Sequence, residues 1–323
     1  MDTRRRVASR VSTEPLPLSI MIVGYNSADC IADCLSSIPS ACAAVPYEVL
    51  FVDNGDGATE RVVAERFPDV RIVASRGNVG FAAGNNLLAA EARGERLLLL
   101  NPDVELRPGA VDALLEGSRR HPQSVAWGGV TLGRDGEPDP GNSVHVPSLR
   151  EMASRVLGRS TARLATGDPL DRDARVEALS GSFVMIERSA WDAVGGLDER
   201  YFLYCEEVDI FYRLARRGET FTRIGAARAF HDVGHGEAIS PTRMLYRAAG
   251  TMEFARQHWS PPKRMAAFLL LWSGAWLRYV AGKTLGLFRP RLRTIGKAHA
   301  MIARHPSQWR HGYHPQRGLK PRP

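Results

Sequence analysis

The amino-acid sequence predicts an α/β protein in which helices flank a mixed, mostly parallel sheet and a basic helical region follows at the carboxyl end. Short apolar runs alternate with stretches of helical spacing along the first 130 residues, which is typical of parallel sheets whose strands are joined by helices. The 323 residues are 44% hydrophobic and 24% charged, as in folded soluble proteins. Disordered, collagen-like and disulfide-scaffold classes are therefore disfavoured.

The first part of the chain supplies most of the sheet. Five apolar runs predict buried strands at residues 18–23, 48–52, 70–74, 96–100 and 125–130. The intervening sequence predicts helices at residues 30–38, 59–67, 80–92 and 109–120.

The order of elements changes after residue 130. Gly, Pro, Asp and Arg dominate residues 133–175, which predicts a long excursion or a mobile loop. A strand at 182–187, a helical turn at 189–194 and a helix at 208–217 are expected next, followed by mostly helical chain. The domain boundaries that follow are 1–17 for a disordered leader, 18–236 for the α/β domain with halves 18–130 and 178–236, and 237–323 for the basic helical region.

Charge is distributed unevenly. The net charge is +8, yet the segment from Pro261 to the end contains 13 Lys and Arg residues and no acid. Such a tail is expected to meet anionic partners. Within it, residues 266–277 are uncharged, and 12 residues are too few to span a bilayer, which takes about 20. Aromatic residues beside basic ones predict a helix lying in a membrane interface, and a core helix packed on the domain is the alternative.

The four cysteines, Cys30, Cys34, Cys42 and Cys205, show neither zinc-site nor disulfide spacing. We interpret them as reduced thiols of a cytoplasmic protein. No apolar run of signal-peptide length follows the basic amino terminus.

Polar residues follow the predicted strands, at the edge where open α/β sheets bind ligands. Asp53 could accept hydrogen bonds from a nucleoside, although Asp-Asn-Gly-Asp-Gly is also turn chemistry. Asp103, in Asn-Pro-Asp, could hold Mg²⁺ or Mn²⁺ against a diphosphate. Neither a G-x-G-x-x-G nor a Walker sequence occurs here. Residues 77–86 open a helix with Gly and Asn, which suits either a ligand close to helix N–H groups or a turn capped by Asn78.

Carboxylates cluster near residue 206. Glu207 could act as a general base on a sugar hydroxyl, or could interact favourably with the helix dipole. Asp209 precedes Arg213 by four residues, which predicts a helix-surface ion pair. His231 is a candidate metal or phosphate ligand, although a single His is more often structural.

Five motifs, in this order, resemble those of the family 2 inverting glycosyltransferases, which have the GT-A fold, and more narrowly their rhamnosyltransferase-like branch. The resemblance covers residues 18–236, about two thirds of the chain. The motifs are Val23-Gly24-Tyr25-Asn26-Ser27, Val52-Asp53-Asn54, Asn78-Val79-Gly80-Phe81-Ala82 with Asn85, Asn101-Pro102-Asp103, and Gly195-Gly196-Leu197-Asp198-Glu199 leading to Phe202-Leu203-Tyr204 and the acidic pair.

This resemblance implies roles for individual residues. Asp103 takes the place of the metal-binding acid of D-x-D with His231 as a second metal ligand, and Glu207 takes the place of the catalytic base, where the family has Asp. The family often ends in H-x-x-G-x-S, whereas this chain has Gly236 in the place of the Ser. The implied nucleotide-sugar site consists of Tyr25, Asn26, Asp53, Asn78, Gly80, Asn85, Asn101 and Asp103.

The resemblance also implies an activity. A sugar, with rhamnose as the first expectation, would pass with inversion from a dTDP- or UDP-sugar to a hydroxyl of a glycan or polyprenyl-linked acceptor, with Mg²⁺ or Mn²⁺ as cofactor. The enzyme would be cytoplasmic and peripheral on the inner face of the cell membrane, on an anionic lipid surface, and no nucleic acid partner is expected. Two alternatives remain at this point: a nucleotidyltransferase that makes nucleotide-sugars and a non-enzymatic polyanion-binding protein.

Overall fold

The computed structural model of the protein describes residues 16–138, 142, 144–157, 170–231 and 240–313. In these residues, nine strands form one mixed sheet. The strands are β1 (Leu16–Gly24), β2 (Tyr47–Asp53), β3 (Arg71–Ile72), β4 (Gly94–Leu100), β5 (Val104–Leu106), β6 (Ser124–Leu132), β7 (Ala174–Val176), β8 (Phe183–Glu187) and β9 (Thr220–His231). The helices are α1 (Ile31–Ala41), α2 (Ala58–Arg66), α3 (Phe81–Glu91), α4 (Ala110–Arg120), α5 (Leu149–Val156), α6 (Arg188–Ala193), α7 (Glu206–Ala215), α8 (Pro241–His258), α9 (Pro261–Thr284) and α10 (Pro290–Arg304).

The first half of the sheet is parallel, with the strand order β3-β2-β1-β4. Gly24 at the end of β1 pairs with Asp53 at the end of β2, so the segments that follow these strands emerge at the same edge. The predicted strands and helices of residues 18–120 are confirmed, although β3 is shorter than expected.

Strands of both directions form the second half, in the order β8-β6-β9-β5. Strand β8 is antiparallel to β4 and β6, whereas β9 is parallel to β6 and antiparallel to β5. Strand β9 was not predicted, because Arg223, Gly225 and Arg228 interrupt its apolar pattern. Its register pairs Val104 with His231, and this pairing brings the end of β9 next to the residues that follow β4.

The sheet is buried on both faces. In β1, Ile20 and Ile22 pack with α1, α2 and α4, while Met21 and Val23 pack with α3, α6 and α7. This alternation follows from the two-residue period of a strand. It explains why a strand covered on both faces has a continuous apolar sequence.

Helices α5, α8, α9 and α10 build a third core beside the α/β layers. Trp309 is fully buried in it, and the indole N–H of Trp272 donates to the carbonyl of Ala303, joining α9 to α10 at 3.0 Å. The hydroxyl of Tyr313 reaches the carbonyls of Tyr246, at 2.8 Å, and of Leu203, in the loop before α7. The predicted helical character of the region after residue 239 is confirmed, and its helices are attached to the α/β domain.

Helix α9 is longer than the sequence indicated. The expectation that the apolar segment is too short to span a bilayer concerned 12 residues, whereas α9 has 24, and by length and composition alone Pro261–Leu287 is long and apolar enough to cross a membrane. The reason is that Pro at its first position and the residues flanking 266–277 extend it at both ends.

Two further expectations are only partly covered by the described residues. Within 133–175, the structure has α5 and β7, so the excursion contains regular elements. Residues 1–15 of the expected leader lie outside the described residues, as do residues 232–236 of the H-x-x-G segment, and β1 begins at Leu16.

Candidate active site

The ends of β1 and β2 form one side of the candidate site. Asp53 is buried, and its two carboxylate oxygens accept the backbone N–H groups of Gly55, at 2.7 Å, and Glu60, at 3.1 Å. These bonds hold the turn and the start of α2, as the turn interpretation predicted, and the nucleoside role of Asp53 stays a prediction. Tyr25 and Asn26 are exposed beside it, with Asn26 at a positive φ of 51°.

Gly80 brings the loop before α3 against the loop before α7. Its φ is +90°, and a Cβ there would lie 2.5 Å from the carbonyl oxygen of Phe202. The next backbone N–H, that of Phe81, donates to the same oxygen at 2.8 Å. Gly80 is therefore required by both its backbone conformation and its lack of space.

The three asparagines near α3 differ in their surroundings. Asn78 is exposed, whereas Asn85 is buried and donates to the carbonyl of Phe81 within the helix. Asn86 was missed by the sequence analysis. Its side-chain amide donates to the carbonyl of Leu197 at 2.8 Å and accepts the N–H of the same residue at 3.0 Å, which fixes the Gly-Gly-Leu loop to α3.

Asp103, which follows β4, lies next to His231, the last residue of β9. The imidazole Nε2 of His231 lies 3.4 Å from Asp103 Oδ1, and the side chain of Asp103 is 28% exposed. This proximity follows from the pairing of β5 with β9 and could not be obtained from sequence spacing. Among the described residues, no group of three or more His, Cys, Asp or Glu side chains is placed to hold a metal ion.

A short loop before β8 connects this pair to the acidic cluster. The backbone N–H of Asn101 donates to the carbonyl of Ser182 at 3.0 Å. A Cβ on the preceding Gly181 would lie 3.8 Å from Cβ of Glu207 and 3.3 Å from the ring of Phe81. Ser182 was predicted only as the first residue of a strand and Gly181 was not singled out, but they lie between the Asn-Pro-Asp turn and the carboxylate pair.

Glu206 and Glu207 occupy the first turn of α7. Cys205 precedes them at a positive φ of 74°, and Oε2 of each carboxylate is buried without a hydrogen-bond partner among the described residues. Burial raises the pKa of both groups. The pKa of Glu206 rises well above its usual range because the neighbouring charge of Glu207 adds to burial, whereas backbone N–H groups and Arg247 counteract burial at Glu207. Both carboxyls are therefore harder to ionise than an exposed glutamate, and the charge of Arg247 favours the ionised form of Glu207.

Asp209 is part of a buried network. Its carboxylate accepts hydrogen bonds from Arg213 at 2.6 Å and Tyr201 at 3.2 Å, and lies 2.7 Å from Nε2 of His258 in α8. Arg213 also donates to two carbonyls of the Gly-Gly loop. The expected ion pair with Arg213 exists, but it is not on the surface, because Asp209 is fully buried under α8.

These contacts bring together four predicted parts of the site, namely the Gly80 loop, the Phe202 loop, Glu207 and the Asn-Pro-Asp turn. The Gly80 loop touches the Phe202 loop, Gly181 lies between Phe81 and Glu207, and Asn101 is bonded to Ser182. Asp103, after β4, and His231, at the end of β9, form a separate pair. Asn85, by contrast, is directed into its own helix.

Comparison with known proteins gives the family. Residues 19–170 match the model described as "Glycosyl transferase family 2". The chain is 32% identical over 259 residues to the N-acetylglucosaminyl-diphospho-decaprenol L-rhamnosyltransferase of Mycobacterium tuberculosis, covering 72% of this chain and 81% of that protein. It is 25% identical to the rhamnosyltransferase WbbL of Escherichia coli, covering 67% and 83% of the two chains.

Solved structures give the fold. A mannosyltransferase from Pyrobaculum calidifontis, in complex with GDP-Man and Mn²⁺, superposes with a TM-score of 0.57 at 17% identity, covering 90% of this chain and 88% of that one. GalNAc-T7 with UDP, GalNAc and Mn²⁺ has a TM-score of 0.55 at 13% identity, covering 91% and 58%. The predicted GT-A architecture is confirmed.

These similarities decide between the three function classes that the sequence left open. Nucleotidyltransferases and polyanion-binding proteins are set aside, because both the matched family and the curated relatives are glycosyltransferases. The chain belongs to glycosyl transferase family 2 and is a glycosyltransferase.

Proposed function

We propose that the enzyme transfers L-rhamnose from dTDP-rhamnose to a hydroxyl of a sugar that is linked through a diphosphate to a polyprenol. The observation that carries the proposal is the similarity to the mycobacterial rhamnosyltransferase, whose name specifies such an acceptor. The similarity to a second rhamnosyltransferase supports the same sugar.

Glu207 is the proposed base. It would accept the proton of the acceptor hydroxyl as that oxygen forms a bond to the anomeric carbon, while the bond from this carbon to the nucleoside diphosphate breaks. One displacement inverts the configuration. The raised pKa of Glu207 suits this role, because a stronger base receives the proton more readily.

Asp103 and His231 fit a divalent cation as a partial site. One carboxylate oxygen and one imidazole nitrogen lie 3.4 Å apart, so both could bind one ion after a small adjustment. Two protein ligands are typical where a substrate diphosphate supplies further oxygens. A nitrogen donor suits Mn²⁺ better than Mg²⁺. Bound there, the ion would neutralise charge on the leaving diphosphate.

An acceptor on a polyprenol requires the enzyme to work at a membrane, and α9 offers a surface for this. Met265, Leu269, Trp276 and Val280 are all exposed, and at 100° per residue they fall within about 60° of the helix circumference. We call these four residues the α9 stripe. The exposed or half-buried basic residues near them are Lys263, Arg264, Lys283, Arg289, Arg291, Arg293 and Lys297.

We propose that the α9 stripe lies on the anionic inner face of the cell membrane, in the cytoplasmic compartment where the donor would be supplied. The charge of the segment from Pro261 onward, 13 basic residues without an acid, complements anionic lipid. The opposite side of α9 is packed on α10, where a Cβ on Gly282 would lie 2.5 Å from Cα of Gly296. A helix with one packed and one apolar face is suited to the interface rather than to crossing it.

The proposed reaction is tested with purified enzyme, Mn²⁺ and a short-chain prenyl-diphosphate-linked N-acetylglucosamine. Product analysis by mass spectrometry is expected to show the addition of one deoxyhexose from dTDP-rhamnose, and NMR of the new linkage should show inversion. UDP-glucose and GDP-mannose serve as matched donors. Transfer from one of these, with none from dTDP-rhamnose, would refute the proposed donor.

A further inference from the structure

Helix α8 lies against the segment that leads into the catalytic helix. A Cβ on Gly250 would lie 2.4 Å from the carbonyl oxygen of Tyr204 and 3.2 Å from Cβ of Cys205, so the backbone of α8 nearly touches the residues before Glu206. Arg243 and Arg247 precede Gly250 by seven and three residues, which places all three on the same face of the helix. The two arginines therefore face the same segment as Gly250.

The charges of both arginines act on this segment. The guanidinium carbon of Arg247 lies 5.5 Å from the centre of the Tyr204 ring. Burial raises the pKa of Tyr204, and the charges of Arg243 and Arg247 counteract this rise. Arg247 also opposes the effect of burial on the pKa of Glu207. Both positive charges thus act on Tyr204, and that of Arg247 also acts on the proposed base.

Neither arginine is neutralised within the part of the chain that the structure describes. Arg213, Arg200 and Arg256 each have a carboxylate within 4 Å there, whereas Arg243 and Arg247 have none. Arg247 is exposed and Arg243 is half-buried. Glu253, the acid of α8, is directed to the backbone N–H of Tyr313 instead. Two guanidinium groups four residues apart repel each other and favour a bound anion.

We propose that Arg243 and Arg247 form a binding site for the diphosphate of the acceptor. The inference rests on the proposed function, in which two diphosphates meet in the site. Asp103 and His231 lie with the ends of β4 and β9, on the donor side. Arg247 lies against Tyr204, three residues before Glu207, which the acceptor hydroxyl must reach. The acceptor diphosphate is attached to the same sugar that carries this hydroxyl. Guanidinium groups bind phosphate oxygens in pairs of parallel hydrogen bonds, which suits them to this ligand.

Kinetics with two acceptors that differ only in the diphosphate test this assignment. The double variant Arg243→Gln/Arg247→Gln and the control Arg217→Gln, an exposed arginine after α7, are compared with prenyl-diphosphate-linked N-acetylglucosamine and with N-acetylglucosamine linked directly to the same prenyl group. We expect the KM for the diphosphate acceptor to rise at least tenfold in the double variant, with the KM for dTDP-rhamnose and the KM for the neutral acceptor within twofold of the wild type. The control should be unchanged.

Three results would overturn the assignment. A rise in the KM of dTDP-rhamnose alone would place the arginines at the donor. An equal rise in the KM of both acceptors would mean that the arginines act on the fold or on Glu207. Equal kinetics of the double variant and the control would mean that the arginines bind nothing in the reaction.

A direct binding measurement separates this inference from the proposed function. Farnesyl diphosphate, which carries no sugar, is titrated into full-length wild type and the double variant with dTDP present to fill the donor site, and calorimetry records the affinity. At least tenfold weaker binding to the double variant supports the arginine site even if rhamnosyl transfer is never observed. Equal affinity contradicts it even if transfer is observed.

Discussion

Glu206 and Glu207 are adjacent in the sequence but have different electrostatic surroundings. Helix geometry turns Glu206 into the core beside Cys205, while Glu207 faces Gly181 and is closer to the charge of Arg247. Burial raises the pKa of both groups, and the charge of Arg247 opposes this rise at Glu207. Arg247 therefore favours the ionised form of Glu207, which is the form that can act as a base.

Exchange of each glutamate for glutamine distinguishes their roles. Glu207→Gln keeps size and polarity but cannot accept a proton, so we expect kcat to fall by about 10²-fold or more, with the affinity for dTDP unchanged. Glu206→Gln leaves the proposed base in place and should retain most of the activity. The opposite pattern would assign the base to Glu206.

The pH dependence follows from the same burial. Because burial raises the pKa of Glu207, the acidic limb of the kcat profile is expected above the range of an exposed glutamate, with activity lost as pH falls through it.

Stability should show the reverse sign at Glu206. A raised folded-state pKa stabilises the fold at low pH, and this contribution is lost as pH rises through that pKa. Glu206→Gln should therefore change Tm little at pH 4, below the pKa of an exposed glutamate, and raise it above that of the wild type at pH 8.5. An equal change at both values would contradict the raised pKa of Glu206.

The pair formed by Asp103 and His231 predicts a metal-binding phenotype that does not depend on turnover. Asp103→Ala should reduce Mn²⁺ binding in the presence of dTDP at least tenfold, measured by electron paramagnetic resonance, and should abolish transfer while Tm stays within a few degrees. Asp112→Ala, an acid of α4 outside the site, is the control. Full activity in excess EDTA would refute the metal requirement.

At the scale of elements, the contact between α7 and α8 depends on a residue without a side chain. Gly250→Ala would place a methyl group against the carbonyl of Tyr204, and the helix must move to relieve the overlap. We expect a loss of about 1–3 kcal/mol in the free energy of unfolding, as for other overpacked positions, together with a reduced kcat. Gly274→Ala in α9 is the control, because its nearest neighbours are side-chain atoms that can shift, at 3.0 and 3.3 Å. Equal stability of the two variants would show that α8 is not held closely there.

The sequence predicted the uniformly apolar strands of the sheet but did not predict β9. Runs such as residues 96–100 predicted β4 because a strand covered on both faces is uniformly apolar. Strand β9 was missed because Arg223 and Arg228 interrupt its apolar pattern. The meeting of His231 with Asp103 depends on that strand and lies 128 residues apart in the chain, so local spacing could not show it.

Side-chain roles were predictable to a smaller extent. Asp53 was expected either in a turn or at a nucleoside, and its bonds to Gly55 and Glu60 are those of a turn. Asn86 and Gly181 carry contacts between distant loops, and such contacts are determined by the tertiary fold. The contacts of α8 with Tyr204 and Asp209 could not be predicted from the sequence for the same reason.

For the whole molecule, the segment after α8 combines a packed face with an exposed one. Flotation with liposomes measures whether the exposed face binds lipid. Full-length protein is expected to float with phosphatidylglycerol-rich liposomes at low salt and to be released as salt rises, because the contribution of each Lys or Arg, about 1 kcal/mol near an anionic leaflet, is screened.

Substitution is a better test here than truncation, because Tyr313 and Trp309 are buried against the rest of the chain. Met265→Gln/Leu269→Gln/Val280→Gln removes most of the α9 stripe without touching these contacts and should reduce the floated fraction severalfold. Flotation of this variant at the wild-type level, or failure of both proteins to float at low salt, would show that α9 is not a membrane surface. Binding of nucleic acid is measured in parallel by gel shift.

The bond between His258 and the buried Asp209 has a consequence for how such enzymes are recombined. Both α7 and α8 lie beyond residues 19–170, the stretch that the family model matches, and the imidazole of His258 in α8 completes a hydrogen-bond network with Asp209 of α7. A chimera joined before α8 would pair the Asp209 of one parent with whatever residue the other parent has at position 258, and a buried carboxylate without its partner is costly. A junction placed after Trp259 keeps the network intact and exchanges only α9 and α10. If α8 selects the acceptor and α9 the membrane, these two properties can then be transplanted separately.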